Sequence, residues 1–436
     1  MFEKLKNIGN DRKTLIENLT SLFVLQGANY LLPLITLPYL LRTLGPEKYG
    51  LIIFSQAIIQ YFIMVTEYGF NLSATREISI NRQDKKKVSE IFSTVFVIKF
   101  ILMILSLFVL TLIIYSFDRF RSDALVYYAT FGMVIGNVLF PVWYFQGIEK
   151  MKFITVLNLI SKVVYTILLF LLVKNQSDFI LVPLINSTGM IFAGCLSLLI
   201  ISRKFSVKIA LPPLNSIKFH LKEGWYVFIS TISISLYTVT NTFLLGMYTS
   251  NEVVGYYAAA EKVVQAFQNI LVPISQTIYP HINNIAQQSK QRAIRFIKKS
   301  AILVGCFSLF ISVAIFTFSK TIIIILFGET YTESIIILKI LAFLPFIIAM
   351  SNIFGTQTLL VFNFKRIFSI SIIVPAVIHV ALIFWLIPYF GMVALASMTV
   401  ITETLVTSIM VIGITVLHRS FFWEGSKNGE KIENSI

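Results

Sequence analysis

Apolar residues run along this chain in stretches of about 20 or more, broken by short polar connections. Each stretch is long enough to cross a hydrocarbon core of ~30 Å as a helix. The pattern predicts an all-α integral membrane protein with twelve spans. The first six are Leu15–Leu41, Gly50–Thr75, Ile91–Phe117, Ala124–Gly147, Ile154–Val173 and Phe179–Ile201. The second six are Gly224–Tyr248, Val254–Pro280, Ser300–Leu326, Ile335–Phe362, Ile367–Phe390 and Met392–Leu417. Composition agrees, with 56% of the 436 residues hydrophobic and only 13% charged, against roughly 25% charged in soluble chains. A soluble enzyme, a disordered regulator and a secreted disulfide scaffold are all disfavoured.

The net charge of +15 raises nucleic acid as a partner, but the placement of the basic residues argues against it. Of 36 Lys and Arg, 26 fall in the two tails and in alternate connections, including Arg82 and Lys85–Lys87, Arg203–Lys222, and Lys290–Lys299. The opposite side holds six: Arg42, Lys48, Arg119, Arg121, Lys174 and Lys320. Basic residues concentrate on the cytoplasmic side of membrane proteins, so both termini are expected in the cytoplasm. The basic balance is a topology signal. The first apolar run is too long for a cleaved signal peptide, and retention as an anchor is expected. Cys195 and Cys306 both fall within spans, where no disulfide framework is expected and a packing role is.

An offset of 205 residues aligns Glu47 with Glu252, Gly50 with Gly255, Gln60 with Gln265 and Phe62 with Phe267, while Gln56 meets Glu261. Span one then maps onto span seven. The predicted organisation is a six-helix bundle over 1–202, a basic linker over 203–222, and a second bundle with tail over 223–436. With six spans each, the halves form a parallel repeat around a central cleft. At 100° per residue, Gln56, Gln60, Glu67 and Asn71 share a face within about 60°, and Glu261, Gln265, Gln268 and Gln276 share one within about 80°. Such stripes avoid lipid, where unsatisfied polar groups are costly. They either bond other helices within a bundle or line a watery cavity.

Seven ionisable residues sit within spans: Lys99, Lys162, Lys262 and Lys339, with Glu67, Glu261 and Glu403. Each isolated charge there costs roughly 2.5–3.5 kcal/mol, so pairing or hydration is required. Glu67, Lys99 and Lys162 lie at matched depth, so a buried cluster is expected in which Glu67 shares its pocket with Lys99 or Lys162. The plainer reading of each lysine is a snorkelling or salt-bridged residue. Prolines within spans, including Pro33, Pro38, Pro141, Pro273, Pro345 and Pro375, mark candidate bends. Gly132 and Gly136 mark a close helix contact. Neither nucleotide-binding nor hydrolase motifs occur, and His and Cys show no metal-ligand spacing.

Several motifs together carry a family resemblance. They are Leu32-Pro33-Leu34-Ile35-Thr36-Leu37-Pro38-Tyr39, Leu44-Gly45-Pro46-Glu47-Lys48-Tyr49-Gly50, Tyr68-Gly69-Phe70 with Ser73-Ala74-Thr75-Arg76-Glu77, Pro141 to Met151, and Gly255 to Lys262. The chain resembles polysaccharide repeat-unit flippases of the Wzx type, within the multidrug/oligosaccharidyl-lipid/polysaccharide exporter superfamily. The resemblance implies a two-lobed, twelve-helix exporter of the bacterial inner membrane. Its cargo would be an undecaprenyl-diphosphate-linked glycan for O-antigen or capsule assembly, with membrane lipids and other polysaccharide assembly proteins as partners. The lysines are the only basic residues within spans, whereas related peptidoglycan-precursor flippases use arginine. No cofactor is expected, and coupling could be to a proton, a sodium ion or the membrane potential. Two exported charges gain about 4.6 kcal/mol per 100 mV. The rivals are a cation-coupled small-molecule antiporter of the same superfamily and a membrane polymerase.

Overall fold

A computed structural model describes residues 2–208 and 210–417, without the side chains of 2–25, 28, 30, 31, 233, 234, 236–238, 273, 276, 277, 416 and 417. The basic C-terminal tail, Pro273 and Gln276 as a stripe residue therefore lie outside the described set. Every regular element among the described residues is helical. Eight helices or helix pairs are long and apolar enough to cross a membrane. The chain divides into two compact units, 1–243 and 244–436.

The first unit opens with α1 (Phe2–Glu67), α2 (Phe70–Asn81) and α3 (Lys85–Ser116). Predicted span one and most of span two fall in α1, which turns sharply at Gly45 (φ 69, ψ 172). Glycine tolerates that left-handed φ, and Pro46 disfavours helix at the residue before it. Asp84 caps α3 by accepting the amides of Lys86 and Lys87 at 2.9 and 3.0 Å. Next come α4 (Asp118–Arg121), α5 (Ala124–Leu139), α6 (Val142–Gly147) and α7 (Met151–Leu172). Then follow α8 (Leu181–Phe205), α9 (Leu214–Thr238) and α10 (Thr240–Tyr248), the last crossing into the second unit.

Span two is not one helix. It breaks between α1 and α2 at Tyr68 (φ 44) and Gly69 (φ 77). The cause is a tight crossing with α9. A Cβ on Gly69 would lie 2.7 Å from the Val227 Cβ and 2.8 Å from the Gly224 carbonyl oxygen. Gly224 in turn has no room for a Cβ beside the Tyr68 carbonyl, 2.7 Å away. The Tyr68 ring stacks on Phe228 with centroids 4.7 Å apart. Span four also breaks, at Phe140–Pro141, and α6 then packs on α2. There a Cβ on Gly147 would meet Ile78 at 2.6 Å, and the Thr75 hydroxyl donates to the Trp143 carbonyl at 3.1 Å. The two sequence motifs in these segments are therefore each other's packing partners. Gly132 and Gly136 make the expected close contact, which is with α8: added Cβ atoms would lie 2.6 Å from Ser187 and 2.5 Å from Met190.

The second unit contains α11 (Asn251–Gln288), α12 (Lys290–Phe327), α13 (Ser334–Leu341), α14 (Leu344–Phe354) and α15 (Lys365–Ile412). Ser250 and Ser289 cap α11 and α12 through bonds to Val253 and Arg292 amides. At 48 residues α15 is about 72 Å long, and it turns at Gly391 (φ 52, ψ −131). Span ten divides into α13 and α14, with Pro345 in the first turn of α14. A π-helical segment, Gly355–Leu360, follows α14. Both cysteines are free and exposed on helix surfaces, so neither is a packing residue. An apolar environment makes an outward thiol inexpensive.

Candidate functional site

In the first unit three helices meet at a polar chain. Lys99 on α3 is 2% exposed, and its ammonium donates to Asn137 Oδ1 at 3.3 Å. Asn137 on α5 then donates through Nδ2 to Glu67 Oε1 at 3.1 Å. An ammonium can only donate and a carboxylate only accept, so the Asn137 amide has one orientation that satisfies both. Glu67 closes α1 immediately before the Tyr68–Gly69 break. The broken helix thus delivers a carboxylate to a buried ammonium through a neutral bridge.

Lys162 is elsewhere: its ammonium donates to Asn29 on α1. Of the three residues of matched depth, only Glu67 and Lys99 share a bonded group. The bridging Asn137 was not expected. Its signal was the one amide within Ala124–Leu139, where a side chain that must find a partner stands out. Gln56, Gln60 and Asn71 are half-buried on the same stretch of chain. Beside them the hydroxyls of Tyr61 and Thr240 are 2.7 Å apart, tying α1 to α10.

The second unit arranges its polar residues differently. Lys262 donates to Gln265 Oε1 at 3.0 Å, one turn along the same helix α11. Glu261 is half-buried beside it. Gln268 lines a cavity of about 520 Å³ between α11 and α14, with Ser275, Tyr279, Asn352 and Thr356 as polar wall. Lys339 is exposed in the last turn of α13 and makes no contact with the other candidates among the described hydrogen bonds and ion pairs. Division of span ten into two short helices puts it at a helix end. Glu403 is half-buried, and its carbonyl accepts from Thr407 at 2.9 Å. A pair not singled out from sequence, buried His379 through Nδ1 and half-buried Thr402 through Oγ1 at 2.8 Å, joins the two arms of α15. No metal-holding cluster of His, Cys, Asp or Glu occurs among the described residues.

The fold has solved counterparts. A multidrug resistance MATE family transporter of the MOP superfamily, solved in an inward-facing conformation, superposes with a TM-score of 0.62. Sequence identity is 14%, over 90% of this chain and 96% of that one, so the likeness is one of fold. A protein of Escherichia coli strain K12 named for O-antigen transport is 35% identical over 92% of this chain and 97% of its own length. A Shigella dysenteriae protein with the same name is 29% identical over 90% and 98%. Residues 15–286 match the family described as polysaccharide biosynthesis protein. With that match and the extent of its similarity to these relatives, this multi-pass membrane chain belongs to the polysaccharide biosynthesis protein family.

Proposed function

We propose that the chain is a flippase carrying a lipid-linked oligosaccharide from the cytoplasmic to the outer leaflet of the inner membrane for O-antigen or capsule assembly. The observation that carries this reading is 35% identity, nearly end to end, with a protein named for O-antigen transport. A Haloferax volcanii protein named as a flippase of low-salt glycan biosynthesis, 22% identical over 83% of this chain, supports the same class. In this reading the protein is a transporter, not an enzyme.

Twelve crossings in two six-helix halves suit the helix lengths. Leu32–Asn81 and Lys365–Thr415 are 50 and 51 residues long, about 75 Å each and far beyond one membrane thickness. Each turns at a glycine, which makes two crossings of one helix. The segment of α9 and α10, and α11, supply the two remaining crossings. Both termini are cytoplasmic on the charge bias. The half-buried polar residues Gln56, Gln60, Glu67, Asn71, Glu261, Lys262, Gln265 and Gln268 are cleft candidates. Lys262 is the candidate contact for the substrate diphosphate, as a point charge needing no fixed geometry. Export of negative charge from an inside-negative cell is favoured by the potential without ATP.

The test is leaflet accessibility in cells that make the glycan. Deleting the gene is expected to trap lipid-linked repeat units where only cytoplasmic reagents reach them, and the intact gene to restore outer exposure. Unchanged outer exposure in the deletion strain contradicts the flippase reading.

A further inference from the structure

The basic end of the first unit carries a cavity lined by none of the cleft candidates. It measures about 320 Å³ and is lined by Arg82, Lys85, Tyr144, Glu149, Lys150 and Phe205, among others. That volume falls within the roughly 300–1,000 Å³ of small-ligand sites. Its one carboxylate, Glu149, is taken by Arg82 at 2.8 Å. Lys85 and Lys150 are exposed and make no ion pair among the described residues. A second cavity of about 440 Å³ adjoins through the shared Lys85 and adds Lys86 and Lys208. Its carboxylate, Glu90, pairs with Lys87 at 3.0 Å. The two cavities together present uncompensated ammonium groups. The lining of the first also includes the apolar surfaces of Tyr144, Phe205 and Val88.

Two independent helices fix its depth. Arg82 lies 15 residues beyond Glu67, mostly along α2, and Lys85 lies 14 residues before Lys99 along unbroken α3. At 1.5 Å per residue both paths are about 21–23 Å. The cavity is therefore well outside the level of the buried Glu67–Asn137–Lys99 chain. A hydrocarbon half-thickness of about 15 Å puts it among lipid headgroups if that chain sits near mid-membrane. Basic pockets at this level, with apolar surface beside them, are suited to anionic headgroups.

We propose that this cavity is a binding site for the phosphodiester headgroup of an anionic membrane phospholipid. Lys85 and Lys150 contact the phosphate, and the Tyr144–Phe205 wall carries the start of an acyl chain. The charge bias assigns this end to the cytoplasmic leaflet. The site is separate from the cleft candidates, so its test does not depend on the transport reading.

Native mass spectrometry of the full-length protein, titrated with phosphatidylglycerol or with phosphatidylcholine of the same acyl chains, measures it. Phosphatidylglycerol is expected to bind more tightly. Lys85→Gln with Lys150→Gln is expected to weaken it about 25-fold, from roughly fivefold per lysine at a membrane surface, and to leave phosphatidylcholine unchanged. The paired arginine variants keep the preference. Glu149→Gln, which frees Arg82, is expected to tighten phosphatidylglycerol about fivefold, a change of sign that loss of folding cannot mimic. Inorganic phosphate and undecaprenyl diphosphate, each equimolar with phosphatidylglycerol, are expected not to displace it. The proposal is overturned by unchanged phosphatidylglycerol binding in the glutamine pair and in Glu149→Gln, or by displacement with either competitor.

Discussion

The segment around Glu67 and its aligned counterpart in α11 begin from the same residue pattern and end in different structures. In the first unit the helix breaks at Tyr68–Gly69, and the polar chain from Glu67 spans three helices. In the second, α11 runs unbroken from Asn251 to Gln288, and Lys262 bonds a residue of its own helix. The offset that pairs Gly50 with Gly255 pairs Gly69 with Ile274. Lacking a glycine there, the second unit cannot form the same left-handed turn at low cost. The comparison separates two uses of buried charge. An inter-helix bridge fixes packing, whereas a lysine tethered only to its own helix stays available for a partner.

The bridge should therefore matter most to stability. Asn137→Leu leaves the Lys99 ammonium without its hydrogen bond, and a loss of about 2–4 kcal/mol is expected in thermal or denaturant unfolding of the purified protein. The matching change in the second unit, Gln265→Leu, is expected to cost about 0.5 kcal/mol or less, as for other single-helix pairs. Equal losses would erase the distinction. A double-mutant cycle of Glu67→Gln and Lys99→Met is expected to be non-additive by about 1 kcal/mol or more, since the two charges share one amide.

Next in size is the backbone crossing. Gly69→Ala forces a Cβ to within 2.7 Å of Val227 and 2.8 Å of the Gly224 carbonyl, at a cost of about 1–3 kcal/mol. Limited proteolysis of the Arg203–Lys222 connection is expected to accelerate as α9 loosens. An unaffected variant would show that the crossing does not hold the break.

The smallest stability effect is expected at Lys262, and there function carries the signal. Lys262→Gln should change unfolding by about 0.5 kcal/mol or less yet abolish glycan export at normal protein levels, while Lys262→Arg keeps part of it. Full export by the glutamine variant removes Lys262 from the substrate path.

Much of this fold is legible in the sequence because membrane helices announce themselves as long apolar runs, and Gly45-Pro46 shows where two of them join. The break at Tyr68–Gly69 is not legible. Its cause is Gly224, 155 residues away, and a tyrosine at positive φ has no local signature. Depth matching along helices offers Lys99 or Lys162 as the partner of Glu67, and cannot choose between them, since depth says nothing about which helices adjoin. The bridge through Asn137 joins Lys99. Asn137 escapes a search for polar stripes because a lone amide makes no stripe. The junction between α13 and α14 is not legible either, because the hydropathy of span ten reads as one continuous run.

The central claim is translocation of a lipid-linked diphosphate glycan, and purified protein in sealed vesicles tests it most directly. Labelled lipid-linked repeat units are loaded on one leaflet, and their appearance on the other is followed with a membrane-impermeant enzyme. The account predicts transfer in vesicles containing the protein, faster when the potential favours movement of negative charge, and little above protein-free vesicles with Lys262→Gln. Transfer no faster with the protein than without it would contradict the account.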